Sequence, residues 1–229
     1  MPSPPVLQVE RIRAIVFDLD GTLVDSYGPI AASLNHARQA YSLPELDVDE
    51  VRRAVGHGLE SLIAEWVGPD RVDDGVRLFR DHYAASYATG TFALPNVRST
   101  LERLDRRGYR MAVASNKPAR FGRAIIEALG LATHLHDVLG PDLVSHAKPH
   151  PAMLRRCLEL LGAAPDEALY IGDMVLDVET AAQAGVPVVL VSGGSSSDEE
   201  LNATGQKLLP SLDGLLGLLG RIQGADPGR

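Results

Sequence analysis

The sequence predicts an α/β protein that combines a parallel sheet, helices on both sheet faces and an inserted block of helices. Short apolar segments alternate with amphipathic helical patterns through most of the chain, and this order is typical of a parallel sheet. The alternation stops between residues 26 and 93, where helical periodicity continues without a convincing strand. A chain of 229 residues is long enough for one large core and a smaller second unit.

The predicted strands are short, rich in valine and isoleucine, and bounded by Gly, Pro, Asn or Asp. They are Ile12–Phe17, Arg110–Ala114, Val138–Leu139, Ala168–Ile171 and Pro187–Val191. The helices predicted between them end at glycine, and one opens with proline, which are ordinary signals for helix ends and starts. These helices are Arg120–Leu129, Pro151–Leu161 and Leu176–Ala184.

Four further helices are predicted in the inserted block, where turns rich in glycine and proline separate them. They are Ile30–Tyr41, Val48–Val55, Leu59–Trp66 and Val72–Tyr87. We therefore predict a core domain of residues 1–24 and 94–229 and an all-helical domain of residues 25–93. The connecting segments Val24–Ser26 and Thr89–Pro95 would act as the hinge.

The net charge, the cysteine count and the length of apolar runs restrict which partners and which compartment are expected. The formal net charge of -8 gives no electrostatic footprint for nucleic acid or anionic lipid. The single cysteine, Cys157, cannot form an internal disulfide, so a reducing cytoplasm is expected. No stretch approaches the roughly 18 apolar residues of a membrane span, and Met1–Gln8 lacks a signal-peptide pattern. Gly224–Arg229 is expected to be a frayed tail.

Two carboxylates follow the first strand in the segment Asp18-Leu19-Asp20-Gly21-Thr22. Residues two apart on a strand point the same way, and open α/β sheets bind ligands at the carboxyl ends of their strands. One carboxylate could attack phosphorus while the other protonates the leaving alcohol. Two adjacent carboxylates repel each other unless a cation lies between them, so the pair implies a metal ion. An Asp-rich turn with Gly21 in an unusual conformation is the structural alternative.

Two other polar segments could bind a phosphoryl group. In Ser115-Asn116-Lys117, a hydroxyl and backbone amides follow a strand and could hold phosphoryl oxygens, although Ser and Asn are also common helix caps. Lys148 lies just before a helix, where the helix dipole disfavours a cation. This position suggests that Lys148 neutralises a phosphate and a carboxylate, while a solvated surface lysine remains the alternative.

A second acidic pair, Asp173 and Asp177, stands at the start of a predicted helix. Residues four apart share one helix face, and carboxylate oxygens suit magnesium. Helix capping by Asp173 is the alternative. All four polar segments stand at carboxyl ends of predicted parallel strands, so together they predict one site far more strongly than any of them does alone.

These segments resemble the four motifs of the haloacid dehalogenase-like superfamily, and the resemblance extends from Ile12 to about Leu219. It implies a Rossmann-like core with a helical cap inserted between the first two motifs. It also implies that Asp18 is the nucleophile and that Asp20 is the general acid and later the general base. An enzyme that hydrolyses phosphate esters through an aspartyl-phosphate is therefore expected.

The resemblance also implies the roles of the remaining motif residues. It places Ser115 and Lys148 on the phosphoryl group, and the neighbouring Asn116 is a further phosphate-binding candidate. It implies a Mg²⁺ ion held by the Asp18 side chain, the Asp20 carbonyl and Asp173. In many relatives the residue at the place of Asp177 binds metal through water or orients the lysine. A small phosphorylated metabolite is the expected partner, and the protein is expected to be a monomer or homodimer.

Within the family, the chain is most similar to phosphoglycolate phosphatases. The similar segments include Val55-Gly56-His57-Gly58-Leu59-Glu60, Asn116-Lys117-Pro118 and Asp177 to Gly194. The resemblance implies 2-phosphoglycolate as the substrate, with pyrophosphate, sugar phosphates and nucleotides as alternatives. A β-phosphoglucomutase-like mutase is less favoured, because such mutases tend to have Val where Thr22 stands. Met174 departs from the subgroup, which often has Ser or Thr at that place.

His57 and Gly58 are the predicted substrate contacts from the helical insertion. Glycine lets a backbone approach a ligand, and a histidine could meet a substrate carboxylate; a plain turn between helices is the alternative. Trp66 is expected in the apolar core of the insertion. Three cations could assist with an anionic substrate or could lie on solvated faces: Arg52, Arg53 and Lys117.

Overall fold

The computed structural model describes residues 3–220, so the predicted frayed tail at Gly224–Arg229 lies outside the described residues. Its strands, in chain order, are β1 Ala14–Phe17, β2 Val24–Asp25, β3 Phe92–Ala93, β4 Arg110–Ala114, β5 Val138–Leu139, β6 Ala168–Gly172, β7 Val188–Val191 and β8 Lys207–Leu209. Its α-helices are α1 Tyr27–Gln39, α2 Val48–Ala54, α3 Leu59–Trp66, α4 Val72–Gly90, α5 Val97–Arg106, α6 Ala119–Ala128, α7 Ala152–Leu161, α8 Val175–Ala184, α9 Asp198–Ala203 and α10 Leu215–Leu218.

The main sheet has six strands in the order β5-β4-β1-β6-β7-β8, and every neighbouring pair is parallel. The chain runs outward from β1 to β4 and β5, then crosses back to β6, β7 and β8. The strand order therefore reverses at β1 and β6, and a crevice opens at their carboxyl ends. This arrangement confirms the predicted α/β fold with a parallel sheet, and it brings the segments after β1, β4 and β6 to one edge.

Alternate residues of β1 enter two separate apolar clusters, one on each face of the sheet. Ile15 and Phe17 join the cluster formed with α5, α6 and α10. Ala14 and Val16 join the cluster formed with α7, α8 and α9. Both faces of β1 are therefore buried, and this explains why the strand reads as a continuous apolar run.

Helices α1 to α4, here called the helical block, have an apolar cluster of their own that includes Leu34, Ile63 and Phe79. A capping box starts α2: Asp47 accepts from the Glu50 amide at 2.7 Å, and Glu50 accepts from the Asp47 amide at 2.9 Å. The antiparallel pair β2–β3 joins the block to the sheet region. None of the helices in residues 3–220 is long and apolar enough to cross a membrane.

Several element bounds differ from the sequence prediction. The first strand begins at Ala14 instead of Ile12, because residues Val9–Arg11 form a 3-10 turn that the Ile12 amide closes onto Val9 at 3.2 Å. Helix α5 was not predicted, although its buried residues are spaced as on one helix face. The strands β2, β3 and β8 were not predicted either, because they have three residues or fewer and carry too little periodicity to detect.

Candidate active site

Asp18 and Asp20 lie at the carboxyl end of the central strand. The Asp18 amide donates to the Ile171 carbonyl at 2.8 Å, so the backbone is still held in the sheet where the carboxylate begins to project. Both carboxylates are nearly buried, with exposures of 4% and 8%. Ser26, at the entrance to the helical block, donates its hydroxyl to Asp20. The first acidic pair is thus a buried site and not an exposed Asp-rich turn.

Asp173 faces Asp18 from the end of β6 and is fully buried. The Thr22 hydroxyl donates to its Oδ1 at 2.6 Å, and the Ser195 amide donates to its Oδ2 at 2.8 Å. Gly21 has a φ of +85°, and a Cβ added there would overlap the Asp173 carboxylate. Glycine is therefore required at this turn both for its conformation and for the close approach of the acid.

Asp177 binds both the loop after β6 and the side chain of Lys148. Its Oδ2 accepts from the amides of Asp173 and Met174, each at 3.1 Å. Its Oδ1 accepts from Lys148 Nζ and from the Tyr170 hydroxyl, each at 2.9 Å. Both carboxylate oxygens are therefore already engaged, one by the helix start and one by the cation.

Lys148 is a buried cation between two carboxylates. Its Nζ lies 3.0 Å from Asp18 Oδ1 and 2.9 Å from Asp177 Oδ1, and its side chain is 1% exposed. It also donates to the Tyr170 hydroxyl at 3.0 Å. The alternative of a solvated surface lysine is wrong for this residue.

Burial dominates the electrostatics of the cluster. Burial raises the pKa of Asp18 to about 6 and outweighs the opposing effect of Lys148, while the charges of Asp177 and Asp20 raise this pKa further. Burial and the neighbouring carboxylates raise the pKa of Asp173 well above its usual range. Burial alone would lower the pKa of Lys148, but Asp177 and Asp18 together hold that pKa above its usual value. Three carboxylates therefore face one lysine, and they can all ionise only if a further cation joins them.

The carboxylates of Asp18, Asp173 and Asp177 offer oxygens that all lie within 4.8 Å of one another, as a metal site requires. Asp18 Oδ1 is buried and receives no well-directed hydrogen bond from the described residues. Its neighbour Lys148 forms an ion pair with it. An all-oxygen donor set with excess negative charge fits a hard divalent cation such as Mg²⁺.

The segment after β4 supplies a free hydroxyl and a structural amide. Ser115 is 3% exposed, and its Oγ accepts from the Lys117 amide at 3.3 Å, which leaves the hydroxyl hydrogen to donate. The Asn116 side chain donates to the Gly56 carbonyl at 2.8 Å and to the Lys148 carbonyl at 3.1 Å. It also accepts from the Lys148 amide at 2.9 Å. The Asn116 side chain therefore ties the lysine loop to the helical block.

Lys117 is a second buried cation, so the solvated-face interpretation is wrong for it. Its Nζ lies 3.1 Å from Asp20 Oδ2 and donates to the Tyr83 hydroxyl of α4 at 2.9 Å. Burial by itself would lower the pKa of Lys117, but Asp20 and Tyr83 together keep that pKa above its usual value. The ammonium group therefore stays charged and links the sheet edge to the helical block.

A cavity between the sheet edge and the helical block contains Asp18, Asp20 and Ser115 on one side. Its opposite wall is largely apolar and includes Gly56, Gly58, Leu59, Leu62 and Phe79. His57 does not line this cavity and instead faces a neighbouring groove beside Glu60 and Arg120. Trp66 is partly buried against the apolar cluster of the helical block, as expected.

Sequence reasoning missed four polar partners of the site. Ser26 and Ser195 hold carboxylates, and Tyr170 and Tyr83 each accept from a lysine. A polar signal existed for Tyr170, which is a hydroxyl-bearing residue within a buried strand and needs a partner there. Nothing in the sequence separates Tyr83 from the other aromatic residues of its helix.

Comparison with known proteins identifies the family to which the chain is similar. A family model described as haloacid dehalogenase-like hydrolase matches residues 15–191. A phosphoglycolate phosphatase of Rhodospirillum rubrum is 41% identical over 197 residues, which cover 81% of this chain and 82% of that protein. A phosphoglycolate phosphatase of Escherichia coli is 33% identical over 236 residues, covering 92% and 94% of the two chains.

Solved structures show the same fold. The crystal structure of a predicted phosphoglycolate phosphatase from Haemophilus somnus superposes with a TM-score of 0.83 at 28% identity, covering 91% of this chain and 98% of that one. That of a predicted phosphatase from Clostridium acetobutylicum gives a TM-score of 0.80 at 26% identity, covering 90% and 97%.

Proposed function

Because the chain belongs to the haloacid dehalogenase-like hydrolase family, we propose that it hydrolyses a small phosphate monoester through a phosphorylated Asp18. The observation that carries this proposal is the buried Asp18 carboxylate, which has Lys148 3.0 Å away and an oxygen that receives no directed hydrogen bond from residues 3–220. A carboxylate oxygen of this kind can act as a nucleophile toward an electrophilic phosphorus atom.

In the proposed first step, Asp18 attacks phosphorus and the ester bond to the leaving alcohol breaks. Lys148 and the Ser115 hydroxyl bind phosphoryl oxygens, so the charge of the transferring group is matched by fixed donors. Asp20 gives its proton to the leaving oxygen. In the second step Asp20 takes a proton from water, which attacks the phosphorus and releases inorganic phosphate from Asp18.

We propose Asp18, the Asp20 carbonyl and Asp173 as the groups that hold Mg²⁺. The ion would supply charge neutralisation for an approach of the anionic nucleophile to the anionic substrate. Asp177 has both oxygens engaged by Lys148, Tyr170 and two amides. We therefore assign Asp177 to the orientation of Lys148 in preference to direct contact with the metal.

We also propose that residues 25–93 are the cap domain and that residues 1–24 and 94–229 are the core domain. The separate apolar cluster of the helical block and its connection through β2–β3 support this division. Closure of the cap would exclude bulk water from the cavity. The proposed compartment is the cytoplasm, where the single cysteine would stay reduced.

We propose 2-phosphoglycolate as the substrate, because relatives with 41% and 33% identity over most of the chain bear the name phosphoglycolate phosphatase. The test is phosphate release with Mg²⁺ from a panel of 2-phosphoglycolate, pyrophosphate, hexose phosphates and nucleotides, with Asp18→Asn as the blank. A clear preference for 2-phosphoglycolate is expected. A preference for another member would overturn the substrate, and sugar-phosphate isomerisation without release would overturn hydrolysis.

A further inference from the structure

We propose that Lys117, together with the hydroxyl of Tyr83, recognises the carboxylate of the substrate and so determines the specificity of the site. This inference rests on the proposed function, and it moves carboxylate recognition from the cap loop at His57 to the junction of α4 with the loop after β4. Lys117 and Tyr83 both line the cavity that contains Asp18, whereas His57 faces the neighbouring groove.

The size of the substrate restricts where its carboxylate can lie. In 2-phosphoglycolate a single methylene separates the ester oxygen from the carboxylate carbon. The general acid must approach the ester oxygen within about 3 Å, so a group that reads the carboxylate must neighbour Asp20. Lys117 Nζ meets this condition, because it lies 3.1 Å from Asp20 Oδ2.

Both groups keep a hydrogen for a ligand. The ammonium group of Lys117 has three hydrogens, of which Asp20 and Tyr83 take two. Tyr83 accepts from Lys117, and its own hydroxyl hydrogen has no acceptor among residues 3–220. One donor from the loop after β4 and one from α4 are therefore available side by side, which suits the two oxygens of a carboxylate.

The burial of this pair makes it a selective site. Lys117 has a side-chain exposure of only 6%, and Tyr83 is 2% exposed. A buried ammonium and a buried hydroxyl that each keep one spare hydrogen bind an anion well, and both donors stay unpaired when an apolar group occupies the same place. The pair also joins two elements, so it is complete only when the helical block lies against the sheet edge.

Arg80 is the competing candidate, because it also lines the cavity and its Nε has no partner among the described residues. Its guanidinium, however, is paired with Glu60 at 3.0 Å, and its side chain is 41% exposed. A cation at the surface of the helical block is poorly placed for a carboxylate that lies one methylene from the reacting oxygen. The two cations can be separated by experiment.

The test compares 2-phosphoglycolate with ethyl phosphate, which has a methyl group in place of the carboxylate. The readout is the ratio of kcat/KM for the two esters. Lys117→Met is expected to lower this ratio by about 10- to 100-fold, and Tyr83→Phe by about 3- to 10-fold. Arg80→Met is expected to leave the ratio within about twofold. Lys117→Arg keeps the charge and should retain more of the ratio than Lys117→Met.

Turnover of ethyl phosphate shows that each variant is folded. Calorimetry of 2-phosphoglycolate binding to Asp18→Asn, with and without Lys117→Met, measures the effect of Lys117 on affinity without turnover. A wild-type preference that survives Lys117→Met, or one that Arg80→Met removes, would overturn the inference and leave the proposed function standing. A wild-type protein that does not prefer 2-phosphoglycolate to ethyl phosphate would overturn the proposed substrate, and the carboxylate site with it.

Discussion

The sheet edge and the helical block contribute to the cavity in different ways. At the sheet edge, buried charged side chains are fixed by ion pairs and hydrogen bonds: Lys148 contacts two carboxylates, and Asp177 accepts four hydrogen bonds. The block offers a mostly apolar wall and reaches the edge through single contacts, such as Asn116 to Gly56 and Lys117 to Tyr83. We therefore propose that the edge determines the chemistry and that the few bridging contacts determine which ester is used.

The largest expected effect comes from the sheet edge. Asp18→Asn removes the proposed nucleophile but keeps the shape of the side chain, so turnover should fall by about 10⁴-fold or more. Phosphate release and the free energy of unfolding are measured together. The variant should stay folded, and near-normal activity would contradict the assignment of the nucleophile.

Lys148→Met should reduce both activity and stability. It leaves Asp18 and Asp177 buried without their cation, and the loss of one partner from a buried ion pair costs about 3–5 kcal/mol. Denaturant unfolding at neutral pH in chelator measures this cost. Lys207→Met is the matched control, because Lys207 is exposed on β8. Equal stabilities of the two variants would show that Lys148 does not stabilise the buried carboxylates at the sheet edge.

The acidic cluster also predicts a pH dependence for the metal-free protein. The pKa of Asp18 is raised from 3.8 to about 6 on folding, so the folded state binds more protons between these values. Stability in chelator should therefore fall as pH rises through this window, by roughly 3 kcal/mol from Asp18. Asp18→Asn should show a shallower fall, and excess Mg²⁺ should counteract the loss. A stability that rises with pH equally in both proteins would exclude this cause.

How far each region could be predicted follows from the length and polarity of its elements. Asp18 and Asp173 are candidates from the sequence because each directly follows a buried apolar strand, and Lys148 is one because a cation is disfavoured just before a helix. For Lys117 the sequence leaves a solvated face and a role with an anionic substrate equally open, because nothing local indicates its partner in α4, more than thirty residues earlier in the chain. Long-range pairs of this kind depend on how the helical block packs, which sequence periodicity does not specify. The short strand β8 escaped prediction for lack of periodicity.

A smaller effect is expected where the helical block touches the sheet edge. Gly56 has a φ of +130°, and an added Cβ would overlap the side chain of Met174. Gly56→Ala should destabilise the protein by about 1–3 kcal/mol and reduce kcat/KM. Gly58→Ala is the matched control, since its φ is +93° but its Cβ would meet open space. Met174→Ala should rescue Gly56→Ala in part, and the absence of rescue would argue against this contact.

The smallest effect is expected at His57, which lies in the groove beside the cavity. His57→Ala should change the ranking of substrates by no more than a few-fold and leave the Mg²⁺ requirement unchanged. The substrate panel with a magnesium titration measures both. An altered magnesium dependence would mean that the groove and the sheet edge are coupled more tightly than the structure indicates.

Acid quenching of the protein during turnover of 2-phosphoglycolate with Mg²⁺, followed by peptide mass mapping, tests the central claim most directly. We expect a phosphoryl group on the peptide that contains Asp18, localised to that residue and absent from Asp18→Asn. Turnover without a phosphorylated peptide, or a phosphoryl group on another residue, would contradict Asp18 as the nucleophile.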